Sequence, residues 1–356
     1  MKLIFIIIHA SFSLMAYGFL LAPLSGLAQP EEPWYPVSVV SDGVVRVYEP
    51  LTQVRRAWRI CALLPHGRDK YWWGVSWGLR QEANRRGVRL GIYQAGGYEY
   101  LETQRKQFHE CLAKRADVIV LAAISSDGLN ADIEEASRLG VPVVDLVNGV
   151  SSKLVAARSL VSFVDMAKTM GNYLLAMSGK QRISVAWFPG PQDAAWVRDA
   201  EAGMRLAFRD APISLIHAGF APPDLTAQMG LVRAILKSPE KQPDYFFGNA
   251  VAIEAVSNFQ RYFSEVKGHS IAFYATEPVI NLIGEGRVVA AASDSPVLQA
   301  RISIDLALRV LEKQSYARRV SPIIDIIDAK SVKSYDYRKI FPPDSQRILL
   351  QELPPK

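Results

Sequence analysis

The stretch GRDKYWWGVSWG, Gly67 to Gly78, places Tyr71, Trp72, Trp73 and Trp77 close together and holds three of the chain's seven tryptophans. The face of an aromatic ring attracts a cation, at about 0.5–2 kcal/mol per ring. Several rings with a carboxylate therefore describe a site for a small methylated cation. Rings of this kind recur at Tyr98, after Gly96-Gly97, at Phe163 and at Tyr274, and carboxylates at Asp69, Glu277 and Asp294. A sugar site would pair one or two rings with more amides and guanidinium groups, and here only Asn148 and Asn249 stand at comparable places. The competing reading of any single ring is core packing. It is preferred for Trp73 and Trp77, which share a helical face with Arg80, and for Trp187 inside a strand. Catalytic chemistry has little support. The five histidines show no metal or triad spacing, and there is no G-x-S-x-G elbow or P-loop. No catalytic residue, metal or cofactor is expected.

The elements that must position these residues alternate in type. WRICALLP reads as a short apolar strand, followed by an amphipathic helix ending at Gly87, the strand VRLGIYQA, the helix TQRKQFHECLAKR, DVIVLAAI, a helix over 130–139 and VPVVDLV. Apolar strands of this length alternating with helices predict a parallel, doubly wound sheet. The alternation restarts after Leu160, with helices near 165–178, 193–209, 224–237, 250–262, 278–284 and 296–313 between further apolar strands. The expected fold class is α/β, two doubly wound parallel-sheet lobes with an interlobe cleft. Such sheets bind ligands beyond the carboxyl ends of their strands. Asp69, Tyr71 and Trp72 follow the strand at 58–65 directly, Tyr98 follows the next strand, and Tyr274 ends SIAFYAT. Phe163 falls at the first lobe crossover and Asp294 at the return.

Lys2 and an apolar run to about Ala22, followed by Gly26-Leu27-Ala28, form the pattern of a secretory signal, with a retained membrane anchor as the alternative. Cleavage leaves 328 residues (356 − 28), enough for two lobes, and places the protein in the periplasm. The formal charge of +6 is scattered rather than striped, so no nucleic-acid partner is expected. Cys61 and Cys111 lie on a strand expected to be central and on the helix expected to cover it. In an oxidising compartment these two thiols are expected to form a disulfide. Residues 29–55 read as a hairpin arm around Ser41-Asp42-Gly43. The first lobe is then 56–162 with 294–325, and the second is 163–293 with 326–356, which includes a C-terminal tail.

RICALLP, DKYWWGVSWGLRQEANRRGV, QAGGY, VPVVDLVN, Pro189-Gly190-Pro191 and GRVVAAASD resemble the TorT family, within the type I periplasmic binding protein fold. The likeness runs from about Arg56 to Ser321. It implies a binding protein that detects trimethylamine N-oxide and works with the periplasmic domain of a membrane sensor histidine kinase. It further implies that Tyr71 and Trp72 fall on the family's aromatic pair, Tyr98 on the tyrosine after Gly-Gly, Tyr274 on the tyrosine of S-F-Y, and Asp69 on an acidic residue before the pair. Where this chain has Phe163 the family carries a tryptophan, so a related methylamine is an alternative ligand. The expected ligand set is Asp69, Tyr71, Trp72, Tyr98, Phe163, Tyr274 and Asp294. Two other functions are compatible with the sequence: a solute-binding protein of an ABC importer for a sugar or amine, and a secreted enzyme.

Overall fold

The computed structural model describes residues 36–179, 181–237, 242–342 and 350–354. The signal segment expected over 1–28 lies outside them. The described chain forms two sheets. The first contains β1 (Val37–Ser41), β2 (Val44–Tyr48), β3 (Arg59–Leu64), β4 (Arg89–Gln94), β5 (Val118–Leu121), β6 (Val143–Leu146), β7 (Ala157–Ser159) and β13 (Arg319–Pro322), in the order β2-β1-β13-β7-β6-β5-β3-β4. The second contains β8 (Ile183–Phe188), β9 (Ile213–His217), β10 (Tyr245–Gly248), β11 (His269–Ala272), β12 (Ala290–Ser293) and β14 (Asp325–Asp328), in the order β14-β12-β11-β10-β8-β9.

β3 to β7 with β13, and β8 to β12, pair in parallel. Parallel strands need helical crossovers that cover both faces. That is why RICALL, VIVL and VVDL are wholly buried and, apart from Arg59 and Asp145, apolar. In the first lobe α1 (Lys70–Arg85) and α9 (Pro296–Leu311) pack together on one face. The other face carries α2 (Leu101–Ala113) and α3 (Asn130–Arg138). In the second lobe α4 (Phe163–Ser178) packs on α5 (Ala195–Phe208), and α6 (Leu225–Leu236) and α8 (Glu277–Gly284) each pack on α7 (Ala250–Tyr262). The chain crosses between lobes after β7, after β12, after β13 and again after β14.

Two segments differ from the sequence expectation. The hairpin is the edge of the first sheet rather than an arm: β1 pairs with β13, and Asp42 and Gly43 both have positive φ, as a two-residue hairpin loop requires. Tyr48 Oη and the Leu51 N–H donate to buried Asp305 on α9, at 2.6 and 2.7 Å, which fastens the hairpin to the first lobe. The chain end, expected with the second lobe, meets the first. Gln351 forms an antiparallel bridge with Ile92 on β4, and Leu353 is buried in the same hydrophobic cluster as Cys111 and Phe108. An edge strand with free N–H and C=O groups recruits such a segment.

Cys61 on β3 and Cys111 on α2 are joined by a disulfide, with Cα atoms 6.0 Å apart. Both are fully buried in the smaller hydrophobic cluster between the sheet, α2 and α3.

Candidate functional site

The site begins with a helix cap. Asp69 has extended backbone before α1, and its carboxylate accepts the Trp72 N–H at 3.1 Å, satisfying a donor that a helix start leaves free. The cap fixes Tyr71 and Trp72 in the first turn of α1, just past the carboxyl end of β3. Their rings meet edge to face at 5.3 Å. Trp73 instead donates its indole N–H to the Gly67 carbonyl at 2.8 Å, and Trp77 is buried within the helix.

Around this pair the two lobes build one cavity. The first lobe supplies Asp69, Tyr71, Trp72, Tyr98, Val147 and Asn148, and Phe163 opens α4 at the crossover. The second lobe adds Trp196, Pro223 and Tyr274. Tyr274 lies 5.8 Å from Tyr71 and 6.0 Å from Trp196, and Trp196 lies 5.8 Å from Phe163, centroid to centroid. The space between the rings is small, about 20 Å³.

Polar groups around the cavity differ in what they can still do. Tyr71 Oη donates to Asp294 at 2.5 Å, so its hydrogen is taken. The Tyr98 oxygen accepts from Asn148 Nδ2 at 3.1 Å and from Trp196 Nε1 at 3.2 Å. Its own hydrogen has only the long 3.4 Å approach to Asn148 Oδ1. The Tyr274 oxygen receives the Ala250 N–H at the start of α7, leaving its hydrogen to donate. Burial raises the pKa of both phenols, so both remain donors. The cavity wall carries one carboxylate, Asp69, and no cationic side chain. Burial raises its pKa, against the opposing pull of His66 and of the Trp72 and Tyr71 N–H groups. His66, beneath Trp72 and Tyr98, is held below its ordinary pKa by burial. No side chain of the cavity wall supplies positive charge.

Of the expected ligand set, Asp69, Tyr71, Trp72, Tyr98, Phe163 and Tyr274 line this cavity and Asp294 does not. Ser295 takes a left-handed conformation, φ 51°, and Asp294 stands behind Tyr71. Its Oδ2 accepts from Tyr71 and from Gln299 Nε2 at 2.7 Å, while Oδ1 has no hydrogen-bond partner among the described residues. Glu277 is also outside the wall, paired with Lys70 across the cleft at 2.5 Å. Sequence reasoning missed Trp196. It occupies the first turn of the helix after β8, the same address in the second lobe as Trp72 in the first.

Burial pushes the Asp294 carboxyl up to about 6, from an ordinary value near 3.9. The folded state thus holds this proton more tightly than the unfolded chain. The resulting stability is full below about 4 and lost as pH rises through about 6, on the order of 3 kcal/mol. Asp294→Asn should flatten that part of the profile. Urea unfolding of both proteins at pH 4 and 7 measures it, and parallel profiles would contradict the assignment.

Residues 61–315 match the family described as periplasmic binding protein domain. The chain is a periplasmic binding protein. This binding protein is 30% identical to periplasmic protein TorT of Escherichia coli K12 over 297 residues, 83% of this chain and 85% of TorT. A solved ABC transporter solute-binding protein from Bradyrhizobium sp. BTAi1, with bound Bis-Tris, superposes with a TM-score of 0.75 at 36% identity, covering 88% of this chain and 98% of that one. The crystal structure of the TorS sensor domain–TorT complex in the presence of TMAO matches with a TM-score of 0.73 at 26% identity, covering 83% and 100%. The periplasmic binding protein is thus of TorT-like type, with the two-lobed fold of that class. Among its described residues no helix is long and apolar enough to cross a membrane.

Proposed function

We propose that this protein is an exported sensor that encloses one small methylated amine, trimethylamine N-oxide or a related methylamine, and reports its occupancy to the periplasmic domain of a membrane sensor histidine kinase. The observation that carries the reading is the cavity itself: six rings, one half-buried carboxylate, no cationic side chain, and a small space of about 20 Å³. Ring faces and Asp69 meet the positive nitrogen and its methyl groups. The Tyr98 and Tyr274 hydroxyls, each with a hydrogen to donate, meet the oxide. Asp69 would repel that oxide and so helps to orient the ligand. One similar structure carries bound Bis-Tris and another was solved in the presence of TMAO, and each of these compounds has a nitrogen bearing three carbon substituents. Ligand joins the walls of two lobes and favours their closed arrangement, and a kinase that distinguishes the two arrangements responds to that shift.

A second reading, the solute carrier of an ABC importer for an amine or a sugar, is favoured by the higher identity to the Bradyrhizobium solute-binding protein. Calorimetric titration with trimethylamine N-oxide, choline and a hexose tests the ligand. The N-oxide should bind saturably and the hexose give no heat; the reverse order would remove the proposal. Copurification with a sensor-kinase periplasmic domain supports the sensor, and copurification with a permease supports the importer.

A further inference from the structure

Beyond the small cavity the cleft opens into an outer space of about 870 Å³, lined among others by Glu99, Asp127, Asp193, Arg198 and Pro222. Tyr98 lines both spaces. Across from it, Trp196 closes the inner one, with its Nε1–H donated to Tyr98 Oη at 3.2 Å and the rings 6.3 Å apart. The indole is held from behind by Phe163, Phe273 and Tyr274 at 5.8–6.0 Å. It also fills the slot left at Gly190, where φ is 128° and a Cβ would stand 2.4 Å from Cη2. Trp196 is buried and has no space to retreat into.

We infer that the Trp196–Tyr98 pair is the partition that sets ligand size, with Trp196 the specificity-determining residue. This rests on the methylamine reading of the inner cavity. A nitrogen substituent no longer than methyl stays inside. A hydroxyalkyl arm, as in choline or Bis-Tris, has to pass between the two rings and break their hydrogen bond. Because Tyr98 belongs to the first lobe and Trp196 to the second, the partition exists only when the lobes meet. Without the indole the two spaces merge, and a hydroxylated arm reaches the polar groups around Asp127 and Asp193.

The test compares the wild type with Trp196→Ala and Trp196→Phe, titrating each with trimethylamine N-oxide, choline and Bis-Tris. The wild type should prefer the N-oxide over choline. Trp196→Ala should shrink that ratio at least ten-fold, and Trp196→Phe, which keeps a ring but loses the N–H, should fall between. An unchanged ratio in Trp196→Ala, with its melting temperature retained, overturns the partition. A ligand-free readout separates this from failure of the ligand reading. The difference in acrylamide quenching between Trp196→Ala and Trp196→Ala/Trp72→Phe reports Trp72 alone, as does the wild type against Trp72→Phe. Trp72 should become several-fold more quenchable when Trp196 is absent. Equal quenching overturns the partition whether or not any amine binds. Increased quenching in a protein that binds no amine leaves the partition standing and removes the methylamine ligand.

Discussion

Trp72→Ala should weaken binding of trimethylamine N-oxide, the ligand proposed above, at least about 30-fold, and Tyr274→Ala should do the same. The ligand has five non-hydrogen atoms, and at about 1.5 kcal/mol per atom its binding cannot exceed about 7.5 kcal/mol, a Kd of about 3 µM. A ring face on a desolvated cation contributes about 2 kcal/mol, and each ring here also excludes water from a space of about 20 Å³. Losing one wall therefore moves the Kd to about 100 µM or weaker. Both rings are buried, so truncation also leaves a cavity, and the melting temperature of each variant must be followed. Tyr274→Phe separates the two contributions, since it keeps the ring and removes only the hydroxyl proposed to meet the oxide. Calorimetry giving wild-type affinity in both alanine variants would remove these rings from the binding site.

Removing the disulfide is the second large effect. Cys61 and Cys111 are 50 residues apart in sequence, and closing a loop of that length in the unfolded chain corresponds to about 4 kcal/mol of stability on the chain-entropy account. The double variant Cys61→Ala/Cys111→Ala should therefore unfold at lower urea. Its melting temperature should fall by about 6 °C, taking about 2.1 cal/mol/K per residue for a chain of this size. Alanine is the right replacement, because both sites are wholly apolar and serine would bury an unpaired hydroxyl. Unreduced protein should show no alkylatable thiol by mass spectrometry. Two modified thiols, with equal stability in the double variant, would contradict the bond.

The fold was legible where burial dictates composition. VIVL and VVDL are buried on both faces because helices cover both sides of a parallel sheet, and apart from Asp145 that reads directly as apolar runs between amphipathic segments. The local part of the site was legible for the same reason: Asp69, Tyr71 and Trp72 sit at a strand end and a helix start, so sequence distance fixes their proximity. What could not be read depends on backbone angles or on docking of distant segments. Asp294 also ends a strand, yet the left-handed Ser295 accompanies a carboxylate that faces Tyr71 instead of the cavity. Trp196 meets Tyr98 across 98 residues of chain, and no periodicity reports which way a second lobe turns. The hairpin was visible from Asp42-Gly43, but its attachment was not. That depends on Tyr48 reaching Asp305, 257 residues away.

The central claim is that ring faces enclose the ligand's methyl groups, and proton NMR of those methyls tests it most directly. With the protein in excess, the N-methyl resonance of trimethylamine N-oxide should move upfield and receive saturation from tryptophan and tyrosine ring protons, an effect lost in Trp72→Ala. An unshifted methyl signal with no transfer from the rings of the wild-type protein would contradict the account.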